Sequence, residues 1–157
     1  MRGGKTVDRA FYAASAVGDH SMVWVALAVL RGARGTPHRR AAARALAGLA
    51  AESAIVNLGV KSLFRRVRPV AHQHATLKVR TPRTSSFPSG HATSAFCAAA
   101  LLSDGDPALR PAYYALAAVV AASRIHVGIH HPSDVAAGVV VGAALGQAIK
   151  LAFPLES

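Results

Sequence analysis

Six side chains in three separate stretches of this chain are of the types needed to hold and cleave a phosphate ester. They are Lys61 and Arg68 in KSLFRRVRP, His91 in PSGH, and Arg124, His130 and Asp134 in SRIHVGIHHPSD. A phosphate monoester is close to doubly negative at neutral pH. Breaking it needs a nucleophile, positive charge on the equatorial oxygens and a proton for the leaving alcohol. Lys61, Arg68 and Arg124 supply fixed positive charge, and a guanidinium offers paired donors that match phosphate oxygens. Pro88-Ser89-Gly90-His91 reads as a helix start, where free backbone N–H groups favour an anion; Gly90 lets the backbone approach closely and Ser89 adds a hydroxyl donor. Asp134 falls in the first turn of a helix opened by Pro132. A carboxylate there accepts from one ring nitrogen of His130, fixes its tautomer and leaves the other nitrogen to attack phosphorus. His91, from a different helix start, is placed as general acid for the leaving oxygen and then as base for the water that releases a phosphohistidine. No carboxylate pair or cysteine cluster points to a metal, and His72, His74, His126 and His131 match no ligand spacing. The positive side chains take the metal's place, and no cofactor is expected.

The segments that must position these groups are apolar. Hydrophobic residues make up 52% of the 157 positions and mean hydropathy is +0.32, although 18 Lys and Arg face only 7 Asp and Glu. The charges fall mainly between apolar blocks, the pattern of membrane helices joined by basic loops. Ala, Val, Leu and Gly dominate those blocks, and small residues let helix backbones pack closely in a bilayer. The formal charge of +11 fits loop arginines meeting anionic headgroups. No aromatics are interleaved with the basic residues, so nucleic acid is not an expected partner. Cys97 is the single cysteine, which excludes an internal disulfide, and it reads as a buried apolar residue.

Along the chain, residues 1–18 read as an interfacial amphipathic helix, with a break at Gly18-Asp19-His20-Ser21 before a span through Val23 to Leu30. Residues 31–44 form a polar, Arg-rich turn. A second span runs from about Pro37 through Val60, a third from near Pro88 to Leu102, a fourth over Leu109 to Ser123 and a fifth from Pro132 to about Phe153. Segment 61–87 is too basic to cross a bilayer and lies at a surface or lines a pocket. Counting spans places 61–87 and 124–131 on one side, so the three chemical stretches converge at one end of the bundle. Glu52 and Asn57, inside the second span, are expected to bond to neighbouring helices. Arg65, Arg66, Arg80 and Arg83 read as headgroup contacts or a solvated face.

Together the stretches resemble the signature of the type 2 phosphatidic acid phosphatase superfamily, which includes lipid phosphate phosphatases, bacterial acid phosphatases, glucose-6-phosphatase and vanadium haloperoxidases. Lys61 is followed after six residues by Arg68-Pro69, Pro88-Ser89-Gly90-His91 stands intact, and Ser123-Arg124, His130 and Asp134 complete the third part. The resemblance implies that His130 is the nucleophile, Asp134 its partner and His91 the acid. It also implies that Lys61, Arg68, Ser89, Gly90 and Arg124 hold the phosphate. His126 and His131 stand where the family often has aromatics, which makes for a more polar pocket wall.

The expected protein is all-α: one membrane domain over residues 1–157, with about five transmembrane helices and an N-terminal interfacial helix. The expected function is hydrolysis of a lipid phosphomonoester or diphosphate headgroup through a phosphohistidine, without metal. Candidate substrates are polyprenyl diphosphate, a polyprenyl-phosphosugar phosphate, phosphatidic acid and phosphatidylglycerol phosphate. The competing readings are vanadate-dependent oxidation and a non-catalytic membrane scaffold or transporter. The partners are the lipid phosphate substrate and membrane lipids. The basic run Arg31, Arg34, Arg39, Arg40 and Arg44 reads as cytoplasmic. That puts the site of this multi-pass protein on the extracytoplasmic face of the cell membrane.

Overall fold

The computed structural model describes residues 5–17, 21–69 and 84–155, and within them every regular element is helical. The principal helices are α1 (Lys5–Val17), α2 (Met22–Gly32), α3 (Thr36–Ala54), α4 (Gly90–Asp104), α5 (Arg110–His126) and α6 (Pro132–Ala152). α3 continues through a π-helical turn at Ile55–Val60 and a last α turn at Lys61–Leu63. Asp19, His20, His72, His74, Arg80 and Arg83 lie outside the described residues.

α4 is the axis of the bundle, packed against α2, α3, α5 and α6. Its sequence is nearly all small or apolar, and Ala92 through Ser103 are buried apart from Phe96. The closest approach is to α6, and the reason is a run of glycines at every fourth position, which share one helix face. A Cβ on Gly138 would stand 2.7 Å from the Ser89 carbonyl oxygen, and one on Gly146 would stand 2.7 Å from the Ala100 Cβ. At Gly142 it would overlap the Thr93 carbonyl. The absence of side chains there lets the two backbones touch.

The outward faces are apolar instead of charged. Leu58, Leu63, Val140 and Leu151 are each more than two-thirds exposed, which suits lipid and would be an association hazard in water. Among the described residues two helical stretches are long and apolar enough to cross a bilayer, His38–Leu63 and Pro132–Ala152. α2, α4 and α5, with 11, 15 and 17 residues, reach roughly 16, 22 and 26 Å and fall short of a ~30 Å core.

The Arg-rich segment expected as a turn over 31–44 is mostly helix. α2 runs to Gly32 and α3 begins at Thr36, leaving a three-residue connection. The arginines there are spent on staples. Arg44 donates to Asp104 Oδ2 at 2.5 Å and to the Phe153 carbonyl at 3.0 Å. Arg31 donates to the Leu102 carbonyl at 2.7 Å, and Arg34 pairs with Asp106 at 2.7 Å. These bonds tie α2, α3, α4 and α6 together at the end of the bundle that carries the C-terminus of α4.

Candidate active site

The other end of the bundle collects the C-terminus of α3, the start of α4, the C-terminus of α5 and the start of α6. Local backbone chemistry makes each of these ends. The Ser89 carbonyl accepts from Thr93 N at 3.0 Å, starting α4, while Ser89 N donates to the Asp134 carbonyl at 2.9 Å. That single bond joins the PSGH stretch to the start of α6. α5 ends in a tight turn in which Val127 N bonds to Ser123 O and His130 N to Arg124 O. Gly128, at φ +72°, supplies the left-handed residue that reverses the chain. Pro132 opens α6, and the His131 N–H donates to Asp134 Oδ2 at 2.9 Å, so the carboxylate caps its own helix.

His130 and Asp134 are both buried. Nδ1 of His130 lies 3.7 Å from Asp134 Oδ2, too long for a hydrogen bond but facing it. On the other side of the ring, Arg68 Nη1 lies 3.1 Å from Nε2. A guanidinium can only donate, so this contact requires a lone pair on Nε2 and puts the proton on Nδ1, toward Asp134. Arg68 is braced by the Ile129 carbonyl at 3.1 Å and the Ser85 carbonyl at 3.2 Å. Burial, with Arg68 and Arg124 reinforcing it, holds the His130 imidazole well below the ordinary histidine range against the pull of Asp134. Lys61 adds to the same field, so Lys61, Arg68, Arg124, His130 and Asp134 share one electrostatic neighbourhood.

Lys61 reaches the site from α3. The π turn before it is wider than an α turn and shifts the register of the residues after it. Its Nζ lies 3.2 Å from where a Cβ on Gly90 would be, so the ammonium stands beside the start of α4, and a side chain there would push it aside by a few tenths of an ångström. The Ser89 hydroxyl is buried and has no hydrogen-bond partner among the described residues, which is the kind of donor an oxyanion satisfies. His91 is half-buried in the first turn of α4. Arg124 is 1% exposed and donates through Nη1 to the Ser15 hydroxyl and carbonyl of α1. All eight residues singled out in the sequence thus lie at one end of the molecule. Beside them a cleft of about 430 Å³ is lined by Phe64, Arg65, Arg66, Val67, Arg68, Thr84 and Ser85. Among the described residues no three His, Cys, Asp or Glu side chains come together as a metal would need.

The structure adds residues that the sequence did not single out. Arg66 donates to Asp134 Oδ1 at 2.8 Å and to Ser133 Oγ at 2.9 Å. Nothing in the run Arg65-Arg66-Val67-Arg68 distinguishes it from Arg65; only the chain path through the cleft does. His126, expected on the pocket wall, instead pairs with Asp8 at 3.0 Å and stacks on Phe11 at 4.4 Å. The polar groups inside α3 do find partners: Ser94 Oγ donates to Glu52 Oε2 at 2.7 Å and Asn57 Nδ2 donates to Ser53 Oγ at 3.0 Å. The first of these crosses to a neighbouring helix as expected, while the second stays within its own helix.

Known proteins share the sequence and the fold of this chain. The PAP2 superfamily profile matches residues 41–156. A decaprenylphosphoryl-5-phosphoribose phosphatase of Mycobacterium tuberculosis (strain CDC 1551 / Oshkosh) is 43% identical over 133 residues, covering 84% of this chain and 72% of its own. Two solved structures share the fold. One is a transmembrane PAP2-type phosphatidylglycerolphosphate phosphatase from Bacillus subtilis, with a TM-score of 0.72 and 24% identity over 96% of this chain and 77% of its own. The other is LpxE of Aquifex aeolicus, with a TM-score of 0.75 and 21% identity over 94% of this chain and 87% of its own.

Proposed function

We propose, from the premise that this chain belongs to the PAP2 superfamily, that it is a membrane lipid phosphatase working through a phosphohistidine on His130 without a metal. The observation that carries the reading is the line Arg68–His130–Asp134, its histidine and carboxylate buried. It orients the Nε2 lone pair outward and backs the other ring nitrogen with a carboxylate.

When a phosphomonoester enters, Arg68 moves from Nε2 to a phosphoryl oxygen, joined by Lys61, Arg124, Ser89 Oγ and the first N–H groups of α4. Nε2 attacks phosphorus in line, the bond to the alcohol oxygen breaks and His91 gives that oxygen its proton. Asp134 stabilises the positive ring that results. Water then attacks the phosphoryl group, His91 takes its proton, the P–N bond breaks and inorganic phosphate leaves.

For the substrate, the mycobacterial relative's decaprenyl-linked phosphosugar favours a polyprenyl-phosphosugar phosphate over the other candidates. The exposed apolar flanks of α3 and α6 suit a long isoprenoid tail. We read residues 1–157 as one domain with five spans, α2 through α6, and α1 at the interface. The three short helices reach across through polar ends or a locally thinned bilayer. The arginines on and around the α2–α3 connection (Arg31, Arg34, Arg39, Arg40 and Arg44) support an extracytoplasmic site.

Phosphate release from a panel of the four lipid phosphates, using the detergent-purified protein, tests the reading. The phosphosugar lipid is expected to turn over fastest, vanadate to inhibit and EDTA to leave the rate unchanged. His130→Ala is expected to lose at least about a thousandfold in kcat with its fold retained. Normal turnover by that variant, or activity that chelation removes and a divalent ion restores, refutes the mechanism.

A further inference from the structure

α1 precedes the family-matched segment and its sequence shows only an amphipathic helix. Its contacts are nevertheless directed at the site. Asp8, Phe11 and Ser15 follow the i, i+3, i+7 spacing that puts them on one face. That face meets the last residues of α5: Asp8 pairs with His126 at 3.0 Å, Phe11 stacks on the same imidazole at 4.4 Å, and Ser15 takes Arg124. Seven residues of α1 span about 10 Å, and their partners are two positions apart on α5, so the end of α5 is held from two points along α1. Ser15 and Arg124 are each 1% exposed. A buried guanidinium cannot shed its charge and must have acceptors. Ser15 supplies two of them, its hydroxyl and a carbonyl in the last turn of α1, where the helix dipole is negative.

We propose that α1 is a working part of the phosphate site: Ser15 is a positioning residue that aims the Arg124 guanidinium, and the Asp8–His126–Phe11 clasp holds Ser15 in place. The inference rests on the reading of Arg124 as a phosphate-binding group. With Ser15 on Nη1, the arginine is held in one rotamer before substrate arrives, so binding does not have to order a long flexible side chain.

The test measures KM, kcat and the inhibition constant for vanadate, an oxyanion probe of the site, in the full-length protein. Ser15→Ala is expected to raise KM and the vanadate constant together by roughly tenfold, the effect of losing one bond to a charged group. Ser15→Thr, which keeps the hydroxyl, is expected to restore both. The double variant Asp8→Asn with Phe11→Ala loosens the clasp and is expected to move both constants the same way, by about threefold. A helix that merely anchors the chain would lower the thermal midpoint or the active fraction without changing the vanadate constant, and that result overturns the proposal. Arg124→Gln separates the two readings. If it leaves vanadate binding intact, the assignment of Arg124 itself fails; if it weakens binding while the α1 variants do not, only the role of α1 fails. Should Ser15→Ala not fold, the double variant decides, since an unchanged vanadate constant there removes the clasp.

Discussion

Asp134 holds three relationships at once. Oδ1 accepts from Arg66, Oδ2 caps the His131 N–H, and the carboxylate faces His130 Nδ1. A buried carboxylate held by these bonds is fixed in place, and His130 is oriented through it. Arg66→Ala is therefore expected to lower kcat by about ten- to a hundredfold with little change in KM, and Arg66→Lys to recover part of the loss; a rise in KM alone would make Arg66 a headgroup contact instead. The charge state of His130 gives a second expectation. Its folded value is depressed, by burial first and by Arg68 and Arg124 next, so the neutral imidazole, the form the proposed nucleophile needs, persists on acidification below about pH 6.5, the unperturbed histidine value. The acid limb of kcat/KM, which reports the free enzyme, should lie below that pH. Stability has the matching sign. Between the folded and unfolded values the unfolded chain binds more protons, so stability falls as pH drops below about 6.5. Thermal unfolding in detergent at pH 7 and 5 should show that loss, reduced in His130→Gln; equal slopes for the two proteins would assign the acid sensitivity elsewhere.

At the scale of elements, the site depends on how closely α4 and α6 approach. The Ser89–Asp134 backbone bond forms only because Gly138, Gly142 and Gly146 present no side chains to α4. Gly142→Leu drives a side chain into the Thr93 carbonyl. It is expected to cost about 3 kcal/mol or more and to abolish both a monodisperse detergent-solubilised species and phosphate release. Gly59→Ala, where an added Cβ meets nothing within 4 Å, should keep its fold. A Gly142→Leu protein with a normal thermal midpoint would mean that the helices pack less tightly than described. The π turn at Ile55–Val60 acts in the same way on α3: it sets the register that brings Lys61 beside Gly90.

At the scale of the whole molecule, the bundle has a chemical end and a stapled end. The proposed phosphate-binding groups cluster at one, and Arg31, Arg34 and Arg44 are bonded to α4, its C-terminal loop and the end of α6 at the other. Cys97 is buried and is the single cysteine, so new surface cysteines report topology cleanly. With the proposed orientation, Arg65→Cys is labelled by an impermeant thiol reagent added to intact cells, and Arg34→Cys only after permeabilisation. The reverse pattern would turn the protein over in the membrane and place hydrolysis on the cytoplasmic face.

Much of the plan is local, and local plans can be read from residue order. Pro132 opens α6 as its fixed φ dictates, the turn Ser103-Asp104-Gly105-Asp106-Pro107 ends α4, and α4 and α5 start within two residues of the positions their composition indicated. The motif residues were legible because spacing alone assigns them to helix ends, and helix parity then assigns those ends to one side. What tertiary structure decided is which of several similar groups does which job. Arg66 rather than Arg65 reaches Asp134, His126 turns to Asp8 and Phe11 rather than to the pocket, and Ser15 meets Arg124 across more than a hundred residues. Such choices depend on interhelical distances of a few ångströms, which arise when apolar and glycine faces close on one another. No periodicity within a single segment encodes them.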